Sequence, residues 1–160
     1  MTRYLIVIES EDYVTKRRTE IMNSLRAMGM RVLNARVTTG HVEVDLITDD
    51  IDGELKKLSK AGMRVMDLVD LDVERHVENP LEAYVELMGQ ERFWEAHEVL
   101  EGVWRRNRSE FMRGLILLAA ALAKLQEGGH TGYKRLIRDA VELIVRNCTP
   151  EALNPNHTNT

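Results

Sequence analysis

The stretch RVLNARVTTGHVEVDLIT, Arg31 to Thr48, holds two runs rich in β-branched residues on either side of Thr39-Gly40. Such residues favour the pleated strand, and a short connection ending in glycine is a hairpin signal. In the second run Val42, Val44 and Leu46 alternate with Glu43 and Asp45, a period of two with one apolar and one charged face. The reading is two antiparallel strands, Arg31–Thr38 and His41–Thr48. Upstream, Tyr4–Ile8 is a short apolar run suited to a buried strand. Val14–Met28 then carries apolar residues at Val14, Ile21, Leu25 and Met28 and stops at Gly29, which is the pattern of an amphipathic helix. Downstream, Asp50–Ala61 reads as a helix with acids in its first turn and Gly62 after its end, and Arg64–Leu71 reads as a last strand. The order is βαββαβ, the ferredoxin-like layout with two helices on one face of an antiparallel sheet. It occupies residues 1–75.

Beyond residue 78 the strand pattern disappears. Asp72, Glu74, Arg75, His76 and Glu78 form a charged linker, and Asn79-Pro80 suits a helix start. Leu81–Met88 is a short helix. Glu91–Asn107 and Glu110–Glu127 are long ones, the latter with Ser109 as N-cap and Gly128-Gly129 at its end. A final helix runs from Thr131 or Gly132 to Arg146. The expected fold class is therefore α+β: a ferredoxin-like domain (1–75), an all-helical domain of three to four helices (79–148), and a polar, frayed tail (149–160).

With 160 residues, 44% hydrophobic and 30% charged, the chain suits a soluble globular protein. The formal charge of −4 lacks the strong basic balance of a general nucleic-acid binder. The basic cluster Lys16-Arg17-Arg18 reads as a solvated helix face. The first 75 residues offer only Tyr4 and Tyr13 for base stacking, and Glu43 and Asp45 would place negative charge on the open sheet face. Nucleic acid is disfavoured on these grounds. The longest apolar run, Gly114–Ala123, is about half of what a membrane span needs. A single cysteine, Cys148, and no secretory segment point to the reducing cytoplasm, with an incidental thiol.

Chemistry concentrates at residues 97–104, His-Glu-Val-Leu-Glu-Gly-Val-Trp. On a helix His97, Glu101 and Trp104 share a face. At about 100° per residue, Phe93, Leu100 and Trp104 lie within roughly 60° of His97 on one side, and Glu101 and Trp94 on the other. Glu95, Glu98, Arg105 and Arg106 then fall toward solvent. A carboxylate on a buried stripe needs a donor or a metal. Arg113 and Lys124 at the ends of the next helix, and Arg108 one turn beyond Trp104, are the cations able to reach Glu101, and His97 could bond it directly.

This segment resembles an uncharacterised helical family, the "domain of unknown function 309", with its His-x-x-x-Glu-x-x-Trp signature. Phe93 to Glu101 followed by Trp104-Arg105 is similar to the family's first long helix. Arg113-Gly114-Leu115-Ile116, leading into the alanine-rich segment, is similar to its second. Ala140, Leu143 and Ile144 fit the third more loosely. The likeness covers roughly residues 80–147. It implies a small all-helical domain whose functional residues are His97, Glu101 and Trp104, and it brings no established reaction. Arg113 stands where a glutamine-like residue is expected, and a cation there favours an ionised Glu101 or an anionic ligand.

Three functions fit these residues. One is a small ligand-binding or catalytic pocket built on His97, Glu101 and Trp104, with Arg113 holding a small anionic ligand. Another is a metal-dependent hydrolase: His97 and Glu101 have the i, i+4 spacing of two ligands of a divalent metal on one helix, and Glu98 or His130 would be the third. The last is a structural or regulatory homodimer in which the His/Glu pair is a polar cluster at the interface.

Overall fold

The computed structural model describes residues 1–10 and 17–151. The expected helix start at Val14, with Tyr13 and Lys16, and the tail from residue 152 onward lie outside them. The chain divides into two compact units, Met1–Arg75 and His76–Thr160. The architecture is α+β, with an antiparallel sheet and its helices in the first unit and helices alone in the second.

The first unit runs β1 (Thr2–Glu9), α1 (Arg18–Ala27), β2 (Val32–Val37), β3 (His41–Thr48), α2 (Ile51–Lys60), β4 (Val65–Asp70). The strands lie in the order β2-β3-β1-β4, every pair antiparallel. This is the βαββαβ, ferredoxin-like order. The hairpin closes through Thr38, whose hydroxyl donates to His41 O at 2.9 Å and accepts from His41 N at 3.0 Å. That hydroxyl supplies what the short Thr39-Gly40 connection would otherwise leave unpaired. Asp50 caps α2 by accepting from Gly53 N at 2.9 Å. On the sheet, Ile6, Ile8, Val42, Val44 and Leu46 cluster with Met22 and Leu25 of α1 and Leu58 of α2, so the apolar half of the period-two pattern faces the helices.

The charged half of that pattern is not on an open surface, which corrects the expectation that Glu43 and Asp45 present negative charge to solvent. Glu43 is 0% exposed, Asp45 1%, Arg36 2% and His41 7%. Alternation assigns a residue to a face but says nothing about whether that face is covered. Each carboxylate is matched by an arginine on a neighbouring strand. Arg36 sits opposite Glu43 in register, 3.9 Å away, and Arg3 bonds both oxygens of Asp45. His41 Nε2 stands 3.5 Å from Glu43. The phosphate-repelling face inferred from these acids therefore does not exist as drawn.

The second unit comprises α3 (Pro80–Gly89), α4 (Phe93–Asn107), α5 (Glu110–Gln126) and α6 (His130–Asn147). Asn79 and Ser109 cap α3 and α5, accepting from Glu82 N and Met112 N. Helix α6 begins at His130, slightly earlier than the glycine pair suggested, because Tyr133 N already donates to Gly129 O at 3.0 Å. Helix α5 packs between α4 and α6, and α3 packs on α4. No residue from Gly114 to Ala123 is exposed. Among the described residues no helix is long and apolar enough to cross a membrane.

Gly114 makes the approach of α5 to α6. A Cβ there would stand 2.8 Å from Ile144 Cγ1 and 3.0 Å from the Ile144 backbone nitrogen, which cannot swing aside. Gly102, in the middle of α4, has nothing within 4 Å of its Cβ position. The two glycines should respond with opposite signs in urea denaturation. Gly114→Val loses about 2–3 kcal/mol by overpacking, and Gly102→Ala gains up to about 1 kcal/mol from helix propensity.

In the sheet, Glu43→Ala leaves Arg36 buried without its carboxylate and should cost about 3–5 kcal/mol. The double change Arg36→Met/Glu43→Leu should cost less than that single one. Additive losses in the double-mutant cycle would show the pair to be uncoupled.

Candidate functional site

The seating of α4 on α5 decides which of its side chains reach solvent. The stripe that α4 buries is Ala96, Leu100, Val103 and Asn107. Ala96 and Leu100 join Tyr84, Met112, Ile116 and Ala119 in the core of the helical unit. Small and aliphatic residues occupy the line of closest approach, and long aromatics reach the core from its flanks. His97 is therefore at the rim of the buried stripe rather than its centre. The side chains of His97 and Glu101 are 24% and 29% exposed, and Trp104 is half-buried. Glu95 departs from the expected solvated face: it is buried, and Arg92 donates to it at 2.6 Å.

At this rim three ligating groups come together. His97 Nδ1 lies 3.2 Å from Glu98 Oε1, and His97 Nε2 lies 3.7 Å from Glu101 Oε2. One ligand atom from each of His97, Glu98 and Glu101 can be chosen so that all lie within 4.8 Å of one another. Glu98 is the member that helical-wheel reasoning sent to solvent. Its backbone does project about 100° from His97, but its flexible side chain folds back. The group that gathers around His97 thus contains Glu98 and not His130, which is exposed at the start of α6.

The cation that holds Glu101 is also different from those expected. Arg105 Nη2 donates to Glu101 Oε1 at 2.9 Å, the i, i+4 pair of a single helix. That spacing was visible in the sequence. A Glu101 expected on a buried stripe points instead to partners on other elements, whereas the half-exposed Glu101 of the structure is free to take its own helix neighbour. The hydrogen bond to Glu101, and then the charge of Glu101, raise Arg105 above its ordinary pKa. Arg113 is exposed and pairs with Glu110 at 3.8 Å, and Lys124 pairs with Glu127 at 3.0 Å. Arg108 lies over the indole of Trp104, 4.5 Å from the ring centroid. Of the residues singled out from the sequence, the structure gathers His97 and Glu101. Trp104 lies one helical turn on, and Arg113 has a different partner.

Chemically, the arrangement offers an imidazole between two carboxylates at a half-open surface. It can hold a divalent cation through one nitrogen and two oxygens, or hold the imidazole as a proton carrier oriented by acids. The rigid floor beneath it includes Tyr84, whose hydroxyl donates to Leu115 O at 2.9 Å and so ties α3 to α5.

Residues 81–136 match the family described as Domain of unknown function (DUF309), so the C-terminal half resembles that family. The matched segment contains α4 with all three residues of the cluster, and all of α5. No curated protein and no solved structure matches the chain.

Burial pushes the Tyr84 phenol well above its ordinary 10.0. The folded chain therefore keeps this proton at pH values where the unfolded chain loses it. The contribution is complete below pH 10 and is lost as the pH rises toward the folded-state value. Tyr84→Phe should lose about 1 kcal/mol at neutral pH. It should also flatten the decline of stability above pH 10, followed by urea denaturation across the alkaline range.

Proposed function

We propose that this chain, through the segment that matches the family of unknown function, carries a divalent transition-metal site at His97, Glu98 and Glu101. Its function is to bind a small ligand there and act on it as a metal-assisted hydrolase. The observation that carries the reading is the convergence of one imidazole and two carboxylates within 4.8 Å on a half-open helix surface. Three protein ligands are the number that catalytic zinc sites use, with a position left for water or substrate. A mixed nitrogen–oxygen set suits zinc, manganese or iron better than a soft metal. Such a metal lowers the pKa of bound water toward neutrality and so supplies a nucleophile. The residues' part is to fix the ligands. Arg105 restrains Glu101, and the packing of Ala96 and Leu100 fixes the rotation of the helix that presents all three.

A second reading is favoured by the hydrogen bond between His97 Nδ1 and Glu98, with Glu101 close to the other ring nitrogen. With Glu98 at 3.2 Å and Glu101 at 3.7 Å, the imidazole is also placed as a metal-free general base oriented by carboxylates. Calorimetric titration of the apo-protein with Zn2+ and Mn2+ separates the two. The metal reading expects stoichiometric binding and a metal-dependent rise in melting temperature. It also expects affinity to fall by about 100-fold or more in His97→Ala and in Glu101→Gln. Metal uptake unchanged in His97→Ala, or no uptake by the parent protein, sinks the metal reading and leaves the general-base one.

A further inference from the structure

The outermost strand of a sheet carries backbone groups that point away from it and form a template for another strand. Among the described residues β2 and β4 are the two edges. Thr38 N donates to His41 O, so the groups of residues 38 and 36 turn toward β3 and those of Ala35 and Val37 turn away. Arg31 O is taken by Ile47 N, which turns Val32 outward as well.

On β2 this outward row is already occupied, and largely from α1. Arg18 Nε donates to Ala35 O at 2.8 Å, and Arg26 Nε and Nη2 donate to Val32 O at 3.3 and 2.9 Å. Asn34 Oδ1 accepts from Ala35 N at 2.9 Å and from Arg18 Nη2. The two arginines stand about 12 Å apart along the helix, close to the roughly 10 Å between Val32 and Ala35 along the strand. Met22 and Leu25 already hold α1 on the sheet through the core, so the arginines add the closing of the edge. Ala35 and Val37 are accordingly 0% exposed although they lie on an outer strand. The other edge shows the same economy. Leu71 N bonds Arg3 O, which turns Leu68 away from β1, and Asp67 Oδ1 takes the Leu68 N–H at 2.8 Å.

We infer that Arg18 and Arg26 lock the β2 edge against strand addition, and that the partner they exclude is the β2 edge of a second copy of this chain. The second copy follows from symmetry. Antiparallel pairing about a two-fold axis at Ala35 lets the outward N–H and C=O of Ala35 in each copy bond the same two groups in the other. Those are the groups that Asn34 and Arg18 now hold. The edge also carries Val32, Val37 and a 47% exposed Leu33, side chains that favour the pleated strand or need cover. Helix α1 thus acts as a strap that keeps two sheets from joining into one.

The test uses the full chain with Arg18→Met/Arg26→Met, which keeps the aliphatic stems and removes the donors. Mass is followed by sedimentation across a concentration series, beside the parent protein. The double variant is expected to reach twice the parent's mass at the high end of the series, with its circular dichroism unchanged. Adding Leu33→Lys should return it toward the parent's mass, because a lysine on an edge strand opposes pairing. A double variant that keeps the parent's mass throughout overturns the inference. Association that persists undiminished with Leu33→Lys overturns it too, since the contact then lies elsewhere. Where the double variant loses its fold, Arg18→Met alone is read in its place, with Arg26 still bonded to Val32. Doubling that Leu33→Lys suppresses supports the lock, and an unchanged mass overturns it.

Discussion

The seating of α4 against α5 through Ala96, Leu100 and Val103 controls everything the helical unit can do. A helix has one rotational degree of freedom on its neighbour, and the smallest, most apolar stripe takes the line of contact because it permits the closest packing. Once that stripe is chosen, the exposure of every other residue on α4 follows. His97 and Glu101 are set at the rim and Trp104 half under it. Glu95 is turned inward, where it needs Arg92. Gly114 performs the matching service on the far side of α5, bringing α6 near enough to cover a helix that is apolar all round.

The contrast with what could be read from the residues is instructive. Period-two runs, helix stops and turn glycines were enough to recover all six elements of the first unit and their antiparallel order, because each signal is local. The helical unit was equally plain, since Asn79-Pro80 and Ser109 are chemical boundaries. The rotation of α4 was not recoverable in this way. His97 has apolar neighbours on both sides of the wheel, so several stripes about 40° apart looked equally apolar, and only the surface offered by α5 selects among them. The misassignment of Glu98 has another cause. A helical wheel tracks Cβ directions, whereas a glutamate carries its charge three bonds further out. The pairing of Glu101 with Arg105 is legible in the i, i+4 spacing, and only the expected burial of Glu101 points away from it.

The sheet of the first unit teaches the same lesson with opposite emphasis. The positions of Glu43 and Asp45 on one face were plain from alternation, but their desolvation was not, because cover is a property of the tertiary structure. Physical chemistry then requires the arginines: a carboxylate with no exposure survives as a charge only beside a cation. Arg36 supplies it from directly across the β2–β3 pair, and Arg3 reaches Asp45 diagonally from β1. Cross-strand pairing thus turns a charged stripe into a nearly neutral one.

Every residue of the proposed site, from His97 to Arg105, belongs to one short stretch of chain on a single helix. Most active sites are assembled from segments distant in sequence and exist only when the whole fold has closed. Here helical pitch sets the backbone positions that carry the polar groups, side-chain conformation brings Glu98 to His97, and the rest of the unit serves to keep that helix wound. A helix of this length is marginal by itself in water. A synthetic peptide of α4 would therefore hold all the chemistry and little of the order, and any ligand gripping two turns of it would also be a helix-inducing agent. Recognition and secondary structure are the same equilibrium at this place in the chain.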